Sequence, residues 1–259
     1  MRFEITLNRT TRQRMLPMDY SYSISAWIYK VLKQADARFA RFLHEKGYGK
    51  SEPKLYKLFC FSRLNFGKPK LWSEKKLFEI AAHDISLRIS FDVNEVATTF
   101  IKGLFVSQEF YLGDKFNGID FKVAKVEALP EPEFSEITHY RLQTPWVVSY
   151  KKEEGKYPQY LSPEDEMFIP LAIKHLVEKY NNTRHPETIA REQIRLKILS
   201  GFKRAGLVMK PGTKEESRVV GNLFVFELAA PVEVHRMIWN AGVSEKSSSG
   251  FGWVEIKPT

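Results

Sequence analysis

The chain has 259 residues, 43% of them hydrophobic, enough for one large domain or two of ordinary size, each with a buried core. Forty lysines and arginines against thirty-one aspartates and glutamates leave a net charge of +9, a surplus that attracts nucleic acid or an anionic membrane surface. No apolar run approaches a membrane span and no basic amphipathic helix stands out, which favours nucleic acid; one cysteine, Cys60 between Phe59 and Phe61, excludes an internal disulfide and any multi-cysteine metal centre.

Phe3, Ile5 and Leu7 alternate, so the chain opens with a strand; it has no signal-peptide layout, and the cytoplasm is the expected compartment. Ile24, Ile28, Val31, Leu32 and Ala35 recur at helical spacing, and a second stripe, Phe39, Phe42 and Leu43, stops before Gly47. Strand-like segments follow at residues 55–61 and at Leu87, Ile89 and Phe91. Asp92 and Glu95 have the spacing of a capping box ahead of a helix through Val96, Ala97, Phe100, Ile101 and Leu104. Ile119, Phe121 and Val123 alternate again, so the order is strand, helix, strand, strand, helix, strand.

Pro130 and Pro132, interleaved with Glu131 and Glu133, mark a linker. The order then repeats. Strand formers fill 137–150, and Ser162-Pro163 followed by Glu164, Asp165 and Glu166 reads as a helix start, within which Pro170 demands a kink or a later true beginning. Ile194, Leu196 and Ile198 alternate with Arg195 and Lys197; a long strand over 219–228, a short helix over 232–240 and a last strand over 251–256 complete the half. Two tandem ferredoxin-like (βαββαβ, RRM-like) units of an α+β protein fit this order. They divide the chain into an N-terminal domain over 1–128, a linker over 129–135 and a C-terminal domain over 136–259. RNA-recognition modules, metabolite regulators and metal carriers share that architecture, so function must come from a site.

The most distinctive stretch is 241–253, where Gly242, Gly250 and Gly252 alternate with Ser244, Lys246, Ser247, Ser248 and Ser249. Glycines let the main chain approach a ligand closely, and free N–H groups, hydroxyls and a lysine make an anion-holding surface. Taken alone, the stretch reads more readily as a flexible hairpin loop that happens to be glycine-rich. It lacks the Gly-x-x-x-x-Gly-Lys-Ser/Thr pattern and precedes a strand, which disfavours nucleotide hydrolysis and leaves contact with a polyanion backbone. Further basic stretches, Arg195 with Lys197, Lys203 with Arg204, and Lys210 through Lys214 to Arg218, suit phosphates or a solvated sheet face.

Six histidines without ligand spacing, and carboxylates that are scattered or explained by a helix start, point to chemistry without metal or cofactor. His175 falls on the apolar stripe Phe168, Leu171, Ala172 and Leu176 and reads as a core residue. His44 instead ends the second helix, turned away from its buried stripe, where the dipole favours a protonated ring. Tyr29 points off the first helical stripe toward a polar side, and Lys54 follows in a short loop. Histidine, tyrosine and lysine together can cut RNA without metal: one assists the ribose 2′-hydroxyl, one protonates the leaving 5′-oxygen, and the lysine offsets charge on the phosphorane. An exposed surface histidine is the plain alternative.

The Arg2-Phe3 start, the Tyr29 helix, Phe42-Leu43-His44-Glu45, Pro53-Lys54-Leu55 and the closing Ser244-Glu245-Lys246-Ser247-Ser248-Ser249-Gly250-Phe251-Gly252 together resemble the CRISPR-associated Cas6 endoribonucleases of the repeat-associated mysterious protein (RAMP) superfamily, over the full length. The resemblance implies two ferredoxin-like domains and metal-independent cutting of precursor CRISPR RNA within each repeat, leaving a 5′-hydroxyl and a 2′,3′-cyclic phosphate. It implies His44 as acid–base residue, Tyr29 as its partner, either one acting as base, and Lys54 as charge stabiliser, with Lys46 and Lys50 as substitutes. Repeat RNA is the implied partner, with CRISPR effector subunits and a second copy of the chain as further ones. A non-cleaving RNA-holding subunit and a small-anion regulator are the competing readings.

Overall fold

Alternation of apolar and polar residues makes β1 (Arg2–Arg9) a strand whose Phe3, Ile5 and Leu7 enter the core, and β1 becomes the centre of the N-terminal sheet. The computed structural model describes residues 1–49, 55–151, 157–183 and 187–257 of an α+β protein. From β1 the chain passes through β2 (Met15–Pro17) into α1 (Ser21–Ala35), then α2 (Ala37–Glu45), β3 (Phe59–Phe61), the hairpin β4 (Lys70–Trp72) and β5 (Leu77–Glu79), and β6 (Asp84–Phe91). After α3 (Asn94–Val106), β7 (Glu109–Gly113) and β8 (Gly118–Leu129) close the half. The sheet order is β3-β6-β1-β8-β7, every neighbouring pair antiparallel, and a separate ribbon has the order β2-β5-β4.

The C-terminal half repeats the circuit. β9 (Ile137–Leu142) leads through the short pair β10 (Ser149–Tyr150) and β11 (Gln159–Tyr160) to α4 (Phe168–Asn182) and β12 (Arg195–Ile198). The hairpin β13 (Lys203–Met209) and β14 (Ser217–Leu223) follows, then β15 (Val225–Ala229), α5 (Val232–Ala241) and β16 (Val254–Ile256). The main sheet runs β12-β15-β9-β16, again antiparallel throughout. Each half has its own apolar cluster, the first built on Ile5, Ile28, Phe59, Phe91 and Phe100, the second on Tyr140, Trp146, Phe168 and Phe226.

Several expectations need correction. Around Pro170 the structure takes the later of the expected beginnings: the helix starts at Phe168 and not at Ser162, because Asp165 turns back to accept hydrogen bonds from the Ser162 N–H and hydroxyl. Pro170 is therefore the third helical residue, where a missing N–H leaves no bond unmade. The capping box at Asp92 and Glu95 does not form; Val93 caps α3 without a side-chain bond. The single strand expected over 219–228 is two strands in two sheets. Asn222 exchanges backbone bonds with Trp146 at 2.8 and 3.0 Å, Gly221 allows that approach, and beyond Phe224 the chain changes partners to β9 and β12. Only Phe59–Phe61 of the expected 55–61 strand is extended in the sheet.

The halves are pinned together by the first residues of the chain. Arg2 is buried, its guanidinium 3.2 Å from the Trp239 ring centroid and 4.0 Å from that of Trp253, donating to the carbonyls of Trp239 and Val254. An Arg packed between aromatic faces and satisfied by carbonyls turns an otherwise costly buried charge into a specific clamp.

Candidate active site

Asp36 ends α1 and caps α2, its carboxylate accepting from the N–H groups of Arg38 and Phe39 at 2.9 Å each. That corner lays the two helices side by side. Tyr29 and Lys33, one turn apart on α1, face Ala37, Ala40, Arg41 and His44 on α2 across a cleft of about 240 Å³, with Glu45 at its rim. The alanines keep the floor low. His44 is exposed and Tyr29 half-buried; their rings meet edge to face with centroids 5.0 Å apart, and Phe59 supports Tyr29 from the core side at 5.7 Å. The structure thus brings two of the three expected catalytic residues together. Lys54, like Lys50, lies outside the described residues.

Burial pushes the Tyr29 phenol well above its ordinary value, outweighing a hydrogen bond to the Ser248 side chain that acts the other way. A phenol is protonated at neutral pH in any case, and burial makes it hold that proton more tightly. Tyr29 is consequently less polar in its surroundings than its position off the apolar stripe suggested.

Three cations that sequence reasoning did not single out surround the pair. Lys33 and Arg41 line the cleft, and their helical spacing from Tyr29 and His44 is the signal that could have found them. Lys57 is the third. Its ammonium donates to the carbonyls of His44 at 2.6 Å and Lys46 at 3.1 Å, closing the C-terminus of α2 and fixing the backbone that carries the imidazole. No local pattern announces that contact, since Lys57 reaches α2 across thirteen residues.

The glycine-rich turn is mostly a packed seam between the halves. Gly242, Gly250 and Gly252 all have positive φ, and a Cβ on Gly250 would come within 2.6 Å of the Phe61 ring. Ser244 accepts from Val147 N–H, and the Ser247 hydroxyl donates to Ser244 O, so both hydroxyls are used within the protein. Gly242, Ser244, Ser247, Gly250 and Gly252 are buried, Ser248 and Ser249 half-exposed, and Lys246 exposed. The turn docks on α1 through Ser25, whose hydroxyl donates to Ser248 O at 2.8 Å, and through Tyr29. Behind it, buried Lys179 donates to the carbonyls of Ala241 and Gly242 at the end of α5, and burial lowers its pKa to about 8.

The other basic residues singled out in the sequence are all exposed. Arg195 and Lys197 stand on the edge strand β12, Lys197 opposite Glu227. Lys203 and Arg204 open β13, Lys210 and Lys214 lie in the β13–β14 turn with Lys210 paired to Glu215, and Arg218 follows on β14. The hairpin leans on the start of α1, where Asp19 accepts from Val208 N–H at 3.1 Å. Among the described residues no cluster of three or more His, Cys, Asp or Glu could hold a metal ion, and no helix is long and apolar enough to cross a membrane.

Residues 15–127 match the family CRISPR-associated protein Cas6, N-terminal, and residues 129–256 match CRISPR associated protein Cas6, C-terminal. An "endoribonuclease-like protein Cas6" of Pyrococcus furiosus is 28% identical over 99% of this chain and 98% of its own. The "CRISPR-associated endoribonuclease Cas6" of the same organism is 24% identical over 99% of this chain and 90% of its own. A solved structure described as a RAMP protein binding different RNA substrates superposes with a TM-score of 0.80 at 25% identity, with all of both chains covered.

Proposed function

The chain belongs to the Cas6 family of CRISPR-associated RAMP proteins, and from that premise we propose that it cuts precursor CRISPR RNA within its repeats, in the cytoplasm and without metal. The observation that carries this reading is the Tyr29–His44 pair, a half-buried phenol against an exposed imidazole, in a cleft that also presents Lys33 and Arg41. His44 takes the proton of the ribose 2′-hydroxyl, which attacks the adjacent phosphorus. The phenol of Tyr29, protonated at neutral pH, donates to the leaving 5′-oxygen. Lys33 and Arg41, with Lys54 or its neighbours Lys46 and Lys50, offset the charge that builds on the phosphorane. The products are a 5′-hydroxyl and a 2′,3′-cyclic phosphate. Lys57 acts at one remove, by holding the His44 backbone.

The strand orders β3-β6-β1-β8 and β12-β15-β9-β16 support reading the halves as tandem ferredoxin-like domains, over 1–128 and 136–259 about a linker at 129–135. The RNA then follows Lys246, Ser248 and Ser249 at the surface of the turn, whose buried glycines and serines set its shape, and the exposed cations Arg195, Lys197, Lys203, Arg204, Lys210, Lys214 and Arg218.

A second reading, an RNA-holding subunit that does not cleave, is favoured by the relative named only endoribonuclease-like and by the solved relative described as binding RNA. One experiment separates the two. Purified protein is incubated in excess over labelled repeat RNA, with and without EDTA, beside RNA carrying a 2′-deoxy nucleotide at the scissile position. Cutting that ignores EDTA and stops on the deoxy substrate supports the nuclease. Tight binding with no product leaves the RNA-holding subunit, and cleavage of the deoxy substrate refutes attack by the 2′-hydroxyl.

A further inference from the structure

The hairpin β4–β5 stands apart from both the cleft and the basic stretches discussed so far. Lys70, Leu71 and Trp72, successive residues of β4, are all exposed, so neither face of this edge strand is fully covered. Of the five tryptophans in the chain, Trp27, Trp146, Trp239 and Trp253 are at most 9% exposed, whereas Trp72 is 37% exposed. Leaving more than a third of a tryptophan in water forgoes part of the largest burial any side chain offers. Yet the ring is held in place: Trp72 Nε1 donates to Glu79 Oε2 at 3.0 Å, which fixes its edge. Its π face is attended by two lysines, Lys70 Nζ at 4.5 Å and Lys75 Nζ at 5.5 Å from the centroid, Lys70 also lying 3.9 Å from Glu79 Oε2 in an exposed ion pair that a phosphate can replace. Between Lys68 and Lys76 there are four lysines and one glutamate.

A fixed, solvent-facing aromatic ring among flexible ammonium groups is the pairing that binds single-stranded nucleic acid, since any base stacks on the ring while the cations move onto its phosphates. We propose that the β4–β5 hairpin is a second RNA-contact site, at which Trp72 stacks on an unpaired base and Lys70 and Lys75 hold the phosphates beside it. β5 pairs with β2, and Met18 N–H donates to Lys76 O, so the hairpin is anchored just before the N-terminus of α1. Eight residues of helix, about 12 Å of rise, separate that end from Tyr29. The base taken up on Trp72 therefore lies outside the scissile dinucleotide, and the site sets grip on the flanking strand. The inference rests on the RNA-binding part of the proposed function and is independent of cleavage.

Because the other tryptophans are buried, fluorescence reads this site directly. The full-length protein is titrated with an unstructured oligoadenylate 12-mer, and separately with polyglutamate, at several salt concentrations. RNA is expected to quench the emission, and Trp72→Phe to abolish the quench while keeping most of the affinity. Trp72→Ala weakens binding by roughly five- to a hundredfold, the loss of one stacked base. The double variant Lys70→Gln/Lys75→Gln reduces the slope of log K against log salt by about 1.4, two single-strand phosphates at about 0.7 each. Thermal melting stays at the wild-type temperature in all three. Affinity of Trp72→Ala within twofold of wild type, a quench that survives Trp72→Phe, or an equal quench by polyglutamate would overturn the proposal. His44→Ala, run in parallel, keeps the quench; a wild-type protein that is quenched by RNA but never cuts repeat RNA sinks the nuclease reading and leaves this one standing.

Discussion

On α1 and α2 three of the side chains proposed to act on RNA, Lys33, Arg41 and His44, are exposed and Tyr29 is half-buried beside them, whereas in the turn between α5 and β16 most of the residues with the same promise end inside the protein. Both regions are rich in groups that suit a phosphate. The difference is what surrounds them: two helices side by side over alanines leave a cleft, while Gly242 and Gly250 let the backbone press against β3 and Gly252 lets the turn close on its own Ser244. Close approach is what glycine permits, and the thing approached can be the chain itself. The turn serves the site by bracing it, through Ser248 to Tyr29 and through Ser25, with Lys246 as its exposed side chain.

If that division is right, substitutions in the two regions fail in opposite ways. The largest effect is expected at His44, where replacement by alanine should lower the single-turnover cleavage rate by roughly two to four orders of magnitude, the range of an acid–base contribution. Melting temperature and RNA affinity should hold, because the side chain is exposed. A rate within threefold of wild type would remove the imidazole from the mechanism. Gly250→Ala should do the reverse. At φ +86° with a Cβ 2.6 Å from the Phe61 ring, alanine combines a left-handed backbone with overpacking, about 2–5 kcal/mol together. Chemical denaturation should show the loss, and cleavage per folded molecule should remain. A Gly250→Ala protein of native stability that no longer bound RNA would mean that the turn meets the ligand after all.

Much of the fold was legible because it rests on periodicity. Phe3, Ile5 and Leu7 in β1, and Ile24, Ile28 and Val31 in α1, enter the core as their spacing requires. What escaped depends on contacts distant in sequence. Nothing within 219–228 says that the strand must change sheets at Phe224; the Asn222–Trp146 bridge decides it. The start of α4 is by contrast settled locally: the later beginning that Pro170 allowed is taken, because Asp165 spends its carboxylate on Ser162. At the site, His44 and Tyr29 could be named from residue type and helical rotation, yet Lys33 and Arg41 matter only once Asp36 has turned one helix against the other. Lys57 is further still from view, joining the site through two backbone carbonyls.

A buried histidine sharpens the contrast with the exposed one. His235 is fully buried, its Nδ1 2.9 Å from the Tyr140 hydroxyl and its Nε2 3.2 Å from the Glu136 carbonyl. A neutral ring satisfies both, accepting from the tyrosine and donating to the carbonyl. Burial lowers its pKa from 6.5. In acid below about pH 6.5 the unfolded chain binds a proton that the folded chain resists, so stability falls as pH drops through that window, by no more than about 1.4 kcal/mol per unit. His235→Gln, which can make both bonds without titrating, should flatten this part of the stability profile, and His44→Ala should leave it unchanged. An identical profile for wild type and His235→Gln would assign the acid sensitivity elsewhere.

The smallest effect tests the boundary between the regions. Lys246 is the single exposed residue of 241–253, so it is the one part of the turn that behaves like the α1–α2 surface. A phosphate contact from a point charge carries no sequence information, and its loss removes about one released counterion from single-stranded RNA. Lys246→Ala should therefore weaken binding of matched and unrelated RNAs alike and lower the salt slope by about 0.7, with stability unchanged. Two results would redraw the comparison. A change confined to the matched repeat would make the turn a reader of sequence, and a fall in stability would make even this side chain part of the seam.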